Sequence, residues 1–244
     1  MASNMELYLR ALLGEDVDLP VPISRNEKQL SAMLGEDVQV EPPISRIEVL
    51  LDQLRRNGGG GADELKAVID RTATDITLPS DLTEIGEYAF RGCKYLALTS
   101  LPDSVKIIRN SAFYDCTNLA LTSLPEGLQS IEMSAFHGCI NLALTYLPAH
   151  LGSIPNNAFT NCQNIALSSI PAGVMTIGGN AFYNCLSLVS ITFEGTPSVI
   201  ASNIFSQCTN LTTINVPWAE SANINMNAPW GATNATINYN YTTE

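Results

Sequence analysis

The sequence predicts an α/β-type solenoid built from 23-residue turns over residues 76–217. A phenylalanine recurs every 23 residues, a cysteine follows each one after three residues, and an apolar-proline pair recurs at the same period in most copies. A constant period without insertions is typical of a solenoid in which each copy forms one turn. The anchor pairs are Phe90 and Cys93, Phe113 and Cys116, Phe136 and Cys139, Phe159 and Cys162, Phe182 and Cys185, and Phe205 and Cys208.

Each turn is predicted to contain one short strand and one returning stretch. The strand is "ALTSLP", residues 97–102 in the first full copy, and it ends at Pro102 because proline has no N–H for a continuing ladder. The "VxxIxxxAFxxC" stretch then returns the chain along the convex side. One turn buries too few large side chains to offset the entropy of ordering 23 residues, so neighbouring turns must stabilise each other by stacking.

The repeated frame "L..I.LP..V..I...AF..C" resembles that of the BspA-like leucine-rich repeat family, whose members are mostly surface and adhesion proteins. The resemblance covers about residues 76–217, and six consecutive units keep both the phenylalanine and the cysteine. It implies a right-handed leucine-rich repeat superhelix with parallel strands on its concave face. It also implies a protein-binding function, without naming the ligand.

The six cysteines are predicted to be buried thiols in the core. Equal registry places neighbouring cysteines about one strand spacing apart with parallel Cβ directions, which opposes the ~3.8 Å Cβ separation of a disulfide. A metal site is disfavoured because the sequence has no CxxC motif, and neither His137 nor His150 has a partner at ligand spacing. We therefore expect no metal and no cofactor.

A column of leucines leaves two interpretations of the strand face open. The last two copies place apolar residues three, six and eight positions after the cysteine, as a regular strand requires, whereas four earlier copies place leucine at the fifth position. Regular alternation would point these leucines outward, where they would form an apolar binding stripe. A local bulge would turn them inward, and we favour the bulge. The column consists of Leu98, Leu121, Leu144 and Leu167.

The C-terminal residues 218–244 are rich in asparagine and threonine and no longer follow the repeat. Open ends of a solenoid expose core side chains and need a cap. We therefore expect Trp218 and Trp230 to seal the last turn, with sugar binding by these rings as the alternative.

The N-terminal residues form a different repeat. Residues 1–57 contain three 21-residue units, each with capping-box spacing followed by apolar residues, and predict three short amphipathic helices. Residues 58–61 are four glycines and predict a hinge, and residues 62–75 predict a helix that caps the first turn. Helices this short are marginal alone, so residues 1–57 are expected to pack on each other or on a second chain.

Residues 1–57 also resemble N-terminal segments of phage or prophage tail-fibre-like proteins, and "APWGATNATINY" is similar to C-termini found with them. This resemblance implies a structural particle component that assembles as a homo-oligomer through residues 1–57. It supplies the alternative to a surface protein and leaves localisation open between a cell surface and a virion.

The charge pattern excludes several classes of partner. The net charge is −12, and no lysine or arginine follows Arg109, so nucleic acid and anionic lipid are not expected as ligands. No apolar run reaches the ~18 residues needed to span a bilayer, so membrane insertion is not expected. The first 25 residues do not read as a Sec signal peptide, because acidic residues interrupt their apolar positions.

Sequence motifs favour recognition over catalysis. The chain has no Walker loop, GxSxG or HExxH, and Glu84, Glu87 and Glu132 are interpreted as solvated surface charges. The predicted function is therefore a non-enzymatic protein-interaction or adhesion module, with a host surface protein or a glycan among the candidate ligands. The candidate contacts lie seven positions after each cysteine, at Ser100, Ser123, Tyr146, Ser169, Thr192 and Asn215.

Overall fold

A computed structural model describes residues 74, 76, 78, 80–222, 224 and 227–242. The predicted helical repeat at 1–57, the glycine hinge at 58–61 and nearly all of the capping helix at 62–75 lie outside these residues.

In this described part of the chain, ten short strands, paired only in parallel, form three sheets. The first sheet contains β1 (Glu84–Ile85), β2 (Ile107–Ile108) and β3 (Ser130–Ile131); the second contains β4 (Ser153–Ile154), β6 (Thr176–Ile177) and β8 (Val199–Ile200); the third contains β5 (Ser169–Ile170), β7 (Ser190–Phe193), β9 (Thr213–Asn215) and β10 (Thr236–Asn238). Paired residues are one repeat apart, as in Ile85 with Ile108 and Ile191 with Ile214. The predicted solenoid of 23-residue turns is confirmed, and residues 80–222 build it without an α-helix.

The strand predicted for each "ALTSLP" copy is wrong in the copies at 97–102, 120–125 and 143–148. In the first of these, Leu98 and Leu101 are both buried, with two exposed residues between them. A strand alternates with period two, so a spacing of three between buried residues is incompatible with a regular ladder. On the face formed by the "ALTSLP" copies and their later equivalents, long strand pairing begins only at β7. In β7, buried and accessible residues alternate as in a regular strand.

The leucine column faces the core. Leu98, Leu121, Leu144 and Leu167 are 8%, 0%, 0% and 2% exposed. The backbone therefore turns these side chains inward, and the outward apolar stripe is wrong.

The returning stretch carries a second set of strands that the sequence did not predict. Its two-residue strands each place one isoleucine in the core. The ladder is broken between β3 and β4. The N–H of Glu132 donates to the oxygen of Ile108 at 2.9 Å, and that of Gly178 donates to Ile154 at 2.8 Å. At the equivalent position between them, Pro155 has no N–H to donate, so the first and second sheets are separate.

A column of phenylalanine rings forms the centre of the core. The six rings stack with centroids 5.3–5.7 Å apart and planes within 4–19° of parallel, and all six are fully buried. The backbone at the corner that carries them also links successive turns. The N–H of Phe90, for example, donates to the oxygen of Ala112 at 2.7 Å, and that of Gly92 donates to Tyr114 at 2.7 Å.

The corner requires left-handed backbone two residues after each phenylalanine, and two residues before the first five. Asparagine, aspartate and glycine tolerate this conformation best, and they occupy most of the positions that follow a phenylalanine. The positions after phenylalanine are Gly92, Asp115, Gly138, Asn161, Asn184 and Gln207.

All six cysteines are buried, and none forms a disulfide, which confirms the prediction of core thiols. From the second turn onward, each thiol donates to the phenylalanine carbonyl of the preceding turn at 2.9–3.2 Å, as Cys139 does to Phe113. The cysteine column therefore adds polar links between turns as well as filling the core.

Stability is expected to fall as the pH rises above the range in which unfolded thiols ionise. Burial raises the pKa of Cys139 and of Cys162, whereas an unfolded cysteine titrates near ~8.5. Above that pH the unfolded chain binds fewer protons than the folded one, so the free energy of unfolding falls by up to ~1.4 kcal/mol per pH unit for each such thiol. Below it this contribution is fully present.

Urea unfolding at pH 7.5 and pH 9.5 tests this expectation. Cys139→Ala should be less stable than the parent at pH 7.5 but should lose about 1 kcal/mol less between the two pH values. An equal loss in parent and variant would contradict a contribution from this thiol.

The C-terminal end is closed by aromatic packing. Trp218 and Trp230 are 7% and 0% exposed, and their ring centroids lie 5.4 and 5.7 Å from that of Phe193. The two tryptophans therefore cover the last turns, and neither offers an open ring face to a sugar. No helix in the part of the chain that the structure describes is long and apolar enough to cross a membrane.

Candidate functional site

The six candidate contact residues differ in accessibility. Ser100 and Tyr146 are exposed, the latter by 41%. Ser123, Ser169 and Thr192 are half-buried, and Asn215 is buried. The register of the third sheet aligns Ser169, Thr192 and Asn215 in one column, which continues to Asn238.

The C-terminal half of this column is a polar ladder whose members bond to each other. Asn215 donates from Nδ2 to Oγ1 of Thr192 at 3.1 Å, and Asn238 donates to Oδ1 of Asn215 at 2.7 Å. The hydroxyl of Ser169 donates to Oε1 of Glu194 at 2.6 Å. A ligand would have to replace these bonds, so this half contributes little new hydrogen bonding.

The N-terminal half of the column differs from the C-terminal half in its hydrogen bonding. Ser100, Ser123 and Tyr146 make no side-chain hydrogen bond with any residue from 80 to 222 that would have to be broken. Ser100 also borders a depression of about 390 Å³, whose lining includes the apolar residues Ile76 and Leu78. This half combines an aromatic side chain, hydroxyl groups and an adjoining concavity, and it carries no charge.

The three glutamates in and near the first sheet do not form an acid–base pair. Glu84 binds Arg109 through both carboxylate oxygens at 2.9 and 3.0 Å, and Glu132 binds the same guanidinium at 2.9 Å. Glu87 instead accepts a hydrogen bond from Asn110 at 3.0 Å. These contacts join three turns, and the hydrogen bonds to the two glutamates raise the pKa of Arg109 above its already high ordinary value. The network is partly exposed, so its contribution to stability is small.

One aromatic row on the corner was not found from the sequence. The ring of Tyr114 stacks on that of His137, with centroids 4.4 Å apart and planes 4° from parallel. Burial lowers the pKa of His137, and the charge of Asp115 acts in the opposite direction. The signal was available, because these two residues are one repeat apart and occupy equivalent positions.

The described residues contain no group of three or more histidine, cysteine, aspartate or glutamate side chains placed to hold a metal ion. His137 is held in its ring stack, and Glu84 and Glu132 share one arginine. These side chains can hydrogen bond and pack against another surface.

Comparisons with known proteins agree with the repeat architecture. Residues 70–185 and 131–239 match the family of BspA type leucine rich repeat regions, in six copies. A solved leucine rich repeat protein from T. pallidum is 33% identical, with a TM-score of 0.50, over 59% of this chain and 72% of that one. No curated protein matches.

Two further solved structures are more distant. A leucine rich cell surface protein from Faecalibacterium prausnitzii A2-165 is 22% identical with a TM-score of 0.39, over 72% of this chain and 62% of that one. The pneumococcal vaccine antigen PcpA is 22% identical with a TM-score of 0.35, over 59% of this chain and 30% of that one. This chain thus spans less than two thirds of either protein. None of these comparisons supports the resemblance of residues 1–57 to phage tail-fibre-like proteins.

Proposed function

Since the chain belongs to the BspA type leucine-rich repeat family, we propose that it is a non-enzymatic protein-recognition or adhesion module of a bacterial surface or surface-associated protein. Its partner is a protein, which binds the face that carries the column from Ser100 to Asn215. Stacked repeats create an extended surface suited to this use.

The observation that carries the proposal is the difference between the two halves of that column. Ser169, Thr192 and Asn215 are half-buried or buried and take part in hydrogen bonds within the solenoid. Ser123 and Tyr146 keep their polar groups available, and Tyr146 is the large aromatic side chain of the column. Tyrosine is enriched among residues that dominate binding energy, so the contact is centred on Tyr146.

Charge supports a partner surface that is not strongly acidic. No lysine or arginine lies in the column, and the chain carries a net charge of −12. A strongly acidic partner would be repelled at long range by this net charge. The contact therefore depends on packing and neutral hydrogen bonds, and its affinity should change little with salt.

The double variant Ser123→Arg with Tyr146→Arg is expected to weaken partner binding at least tenfold, because two long charged side chains would lie at the centre of the contact. The control is Gln129→Arg with Ser153→Arg, which adds the same charge at two exposed positions, one directly before β3 and one in β4. Binding of the full chain to a panel of immobilised extracellular-matrix proteins, measured by surface plasmon resonance, compares the two variants.

The control variant should bind within about twofold of the parent, and circular dichroism should show both variants folded. Unchanged binding by the Ser123/Tyr146 variant would refute this face as the contact, and an equal loss in the control would indicate a charge effect unrelated to position. Homo-oligomer formation through residues 1–57 stays a prediction, since those residues lie outside the described part of the chain.

A further inference from the structure

A second concave surface lies on the corner of the solenoid, away from the column described above. It has a volume of about 540 Å³, and its lining consists of Arg91, Gly92, Lys94, Tyr95, Tyr114 and Asp115. We refer to it as the Arg91 depression. It joins two consecutive turns, because residues 91–95 belong to one turn and residues 114–115 to the next.

The Arg91 depression holds two of the four lysines and arginines that follow residue 80. Of the others, Arg109 is neutralised by two glutamates on a different face. Arg91 and Lys94 form no ion pair with any residue that the structure describes. In a chain with a net charge of −12, this depression is therefore a local cationic site.

Arg91 is held in place by aromatic rings. Its guanidinium carbon lies 5.0 Å from the ring centroid of Tyr114 and 5.5 Å from that of Tyr88. Tyr114 is in turn fixed by its stack on His137. The Arg91 guanidinium makes no side-chain hydrogen bond with the described residues, so its N–H donors can bind a carboxylate.

The remaining side chains of the depression suit a sugar ring. Tyr95 is 58% exposed and offers a large ring face at the surface. Asp115 supplies carboxylate oxygens, which accept hydrogen bonds from hydroxyl groups. Its backbone is fixed, because its N–H donates to the oxygen of His137 at 2.7 Å.

These groups together select among ligand classes. A small inorganic anion would leave the ring of Tyr95 and the acceptor oxygens of Asp115 unused, and a neutral sugar would leave both cations unused. An acidic sugar combines a carboxylate for Arg91 and Lys94, C–H groups for the face of Tyr95, and hydroxyl groups for Asp115.

We propose that the Arg91 depression binds a saccharide that carries a carboxylate. Arg91 and Lys94 bind the carboxylate, Tyr95 packs against the face of the sugar ring, and Asp115 accepts hydrogen bonds from ring hydroxyls. This site is separate from the protein-binding face and does not depend on it.

Calorimetric titration of the full chain at low salt tests the site with two acidic probes, trigalacturonate and sialyllactose. At least one should bind with a dissociation constant below a few millimolar. The methyl ester of the bound probe, which keeps the sugar and removes the charge, should bind at least tenfold more weakly. Succinate, which keeps carboxylates without the sugar, should also bind at least tenfold more weakly.

Variants locate the binding. Arg91→Gln should weaken saccharide binding at least tenfold. Arg91→Lys should weaken it less, because lysine keeps the positive charge but lacks the planar fork of donors. Tyr95→Ala should weaken it about fivefold. The control Lys106→Gln, which removes a cation outside the depression, should bind within twofold of the parent. Thermal melting of the Arg91 and Tyr95 variants should match the parent, because both side chains are exposed.

The proposal is overturned if neither probe binds, if the methyl ester or succinate binds as tightly as the acidic saccharide, or if Arg91→Gln binds like the parent. The Ser123/Tyr146 arginine variant should retain saccharide binding, so a failure of the protein-binding face and a failure of this site would be distinguishable.

Discussion

Replacement of Phe136 with alanine is expected to lower the free energy of unfolding by about 3–5 kcal/mol. The ring is fully buried and lies between those of Phe113 and Phe159, each with its centroid 5.5 Å away. Its removal leaves a cavity that two turns would share. Because each turn contacts mainly its neighbours, weakening one central contact should also weaken the coupling between the two halves of the solenoid.

Urea unfolding followed by circular dichroism measures this loss. Met133→Ala is the control, since this side chain lies in the same turn but is 51% exposed, and it should change stability by about 0.5 kcal/mol or less. The coupling argument predicts a broader transition for Phe136→Ala as well as a lower midpoint. A loss near that of Met133→Ala would mean that the ring stack does not hold the turns together.

Replacement of Trp230 with alanine is expected to cost about 3–5 kcal/mol and to open the solenoid from its C-terminal end. Trp230 is fully buried and packs on Phe193 and on Trp218. Its indole Nε1 meets no acceptor among the described residues. Trp230→Phe keeps most of the apolar contact and removes this unsatisfied N–H, so it should cost less than about 2 kcal/mol.

The fluorescence of the remaining Trp218 measures opening of the cap separately from the rest of the fold. In Trp230→Ala its emission should shift to longer wavelength at a lower urea concentration than the loss of circular dichroism. Coincident transitions would contradict opening from this end. A cost for Trp230→Phe equal to that for Trp230→Ala would show that contact area is not what the cap provides.

The sequence predicted the core of the solenoid well, because the anchor phenylalanine and cysteine each occupy one position in every turn. The phenylalanine stack and the buried thiols both follow from the 23-residue period and from the geometry that opposes disulfides between equivalent positions. The inward leucines at the fifth position were favoured for the right reason, a departure from regular strand alternation. The prediction of a strand in each early copy was wrong, because the same departure from alternation prevents a regular hydrogen-bond ladder between those copies.

The second ladder could not be found from residue pattern. Its strands are only two residues long, and a period of two cannot be recognised in two residues. The contacts of Arg109 with Glu84 and Glu132 were missed because the three residues lie in different turns, 25 and 23 residues apart. Alignment of successive turns in register would have placed these charges together, and also Tyr114 with His137.

The candidate contact column was predicted as a set of equivalent positions, but the structure distinguishes its members. Equivalence in sequence does not fix whether a side chain bonds within the solenoid. Asn215 bonds within the solenoid because Asn238 occupies the equivalent position in the next turn, whereas Tyr146 has serine at the equivalent positions on either side. Which residues remain available therefore depends on what occupies the adjacent turns.

The spacing of the contacts between turns has a consequence for how the chain folds. The hydrogen bonds that join turns connect residues about 20–26 positions apart, and the stacked rings are one repeat apart. These contacts between turns therefore span about a tenth of the chain length, a separation in the range of relative contact orders found for helical bundles and below that of β-sandwiches. Folding can begin at any pair of turns and extend in both directions. This β-solenoid should therefore fold faster than its strand content alone would suggest.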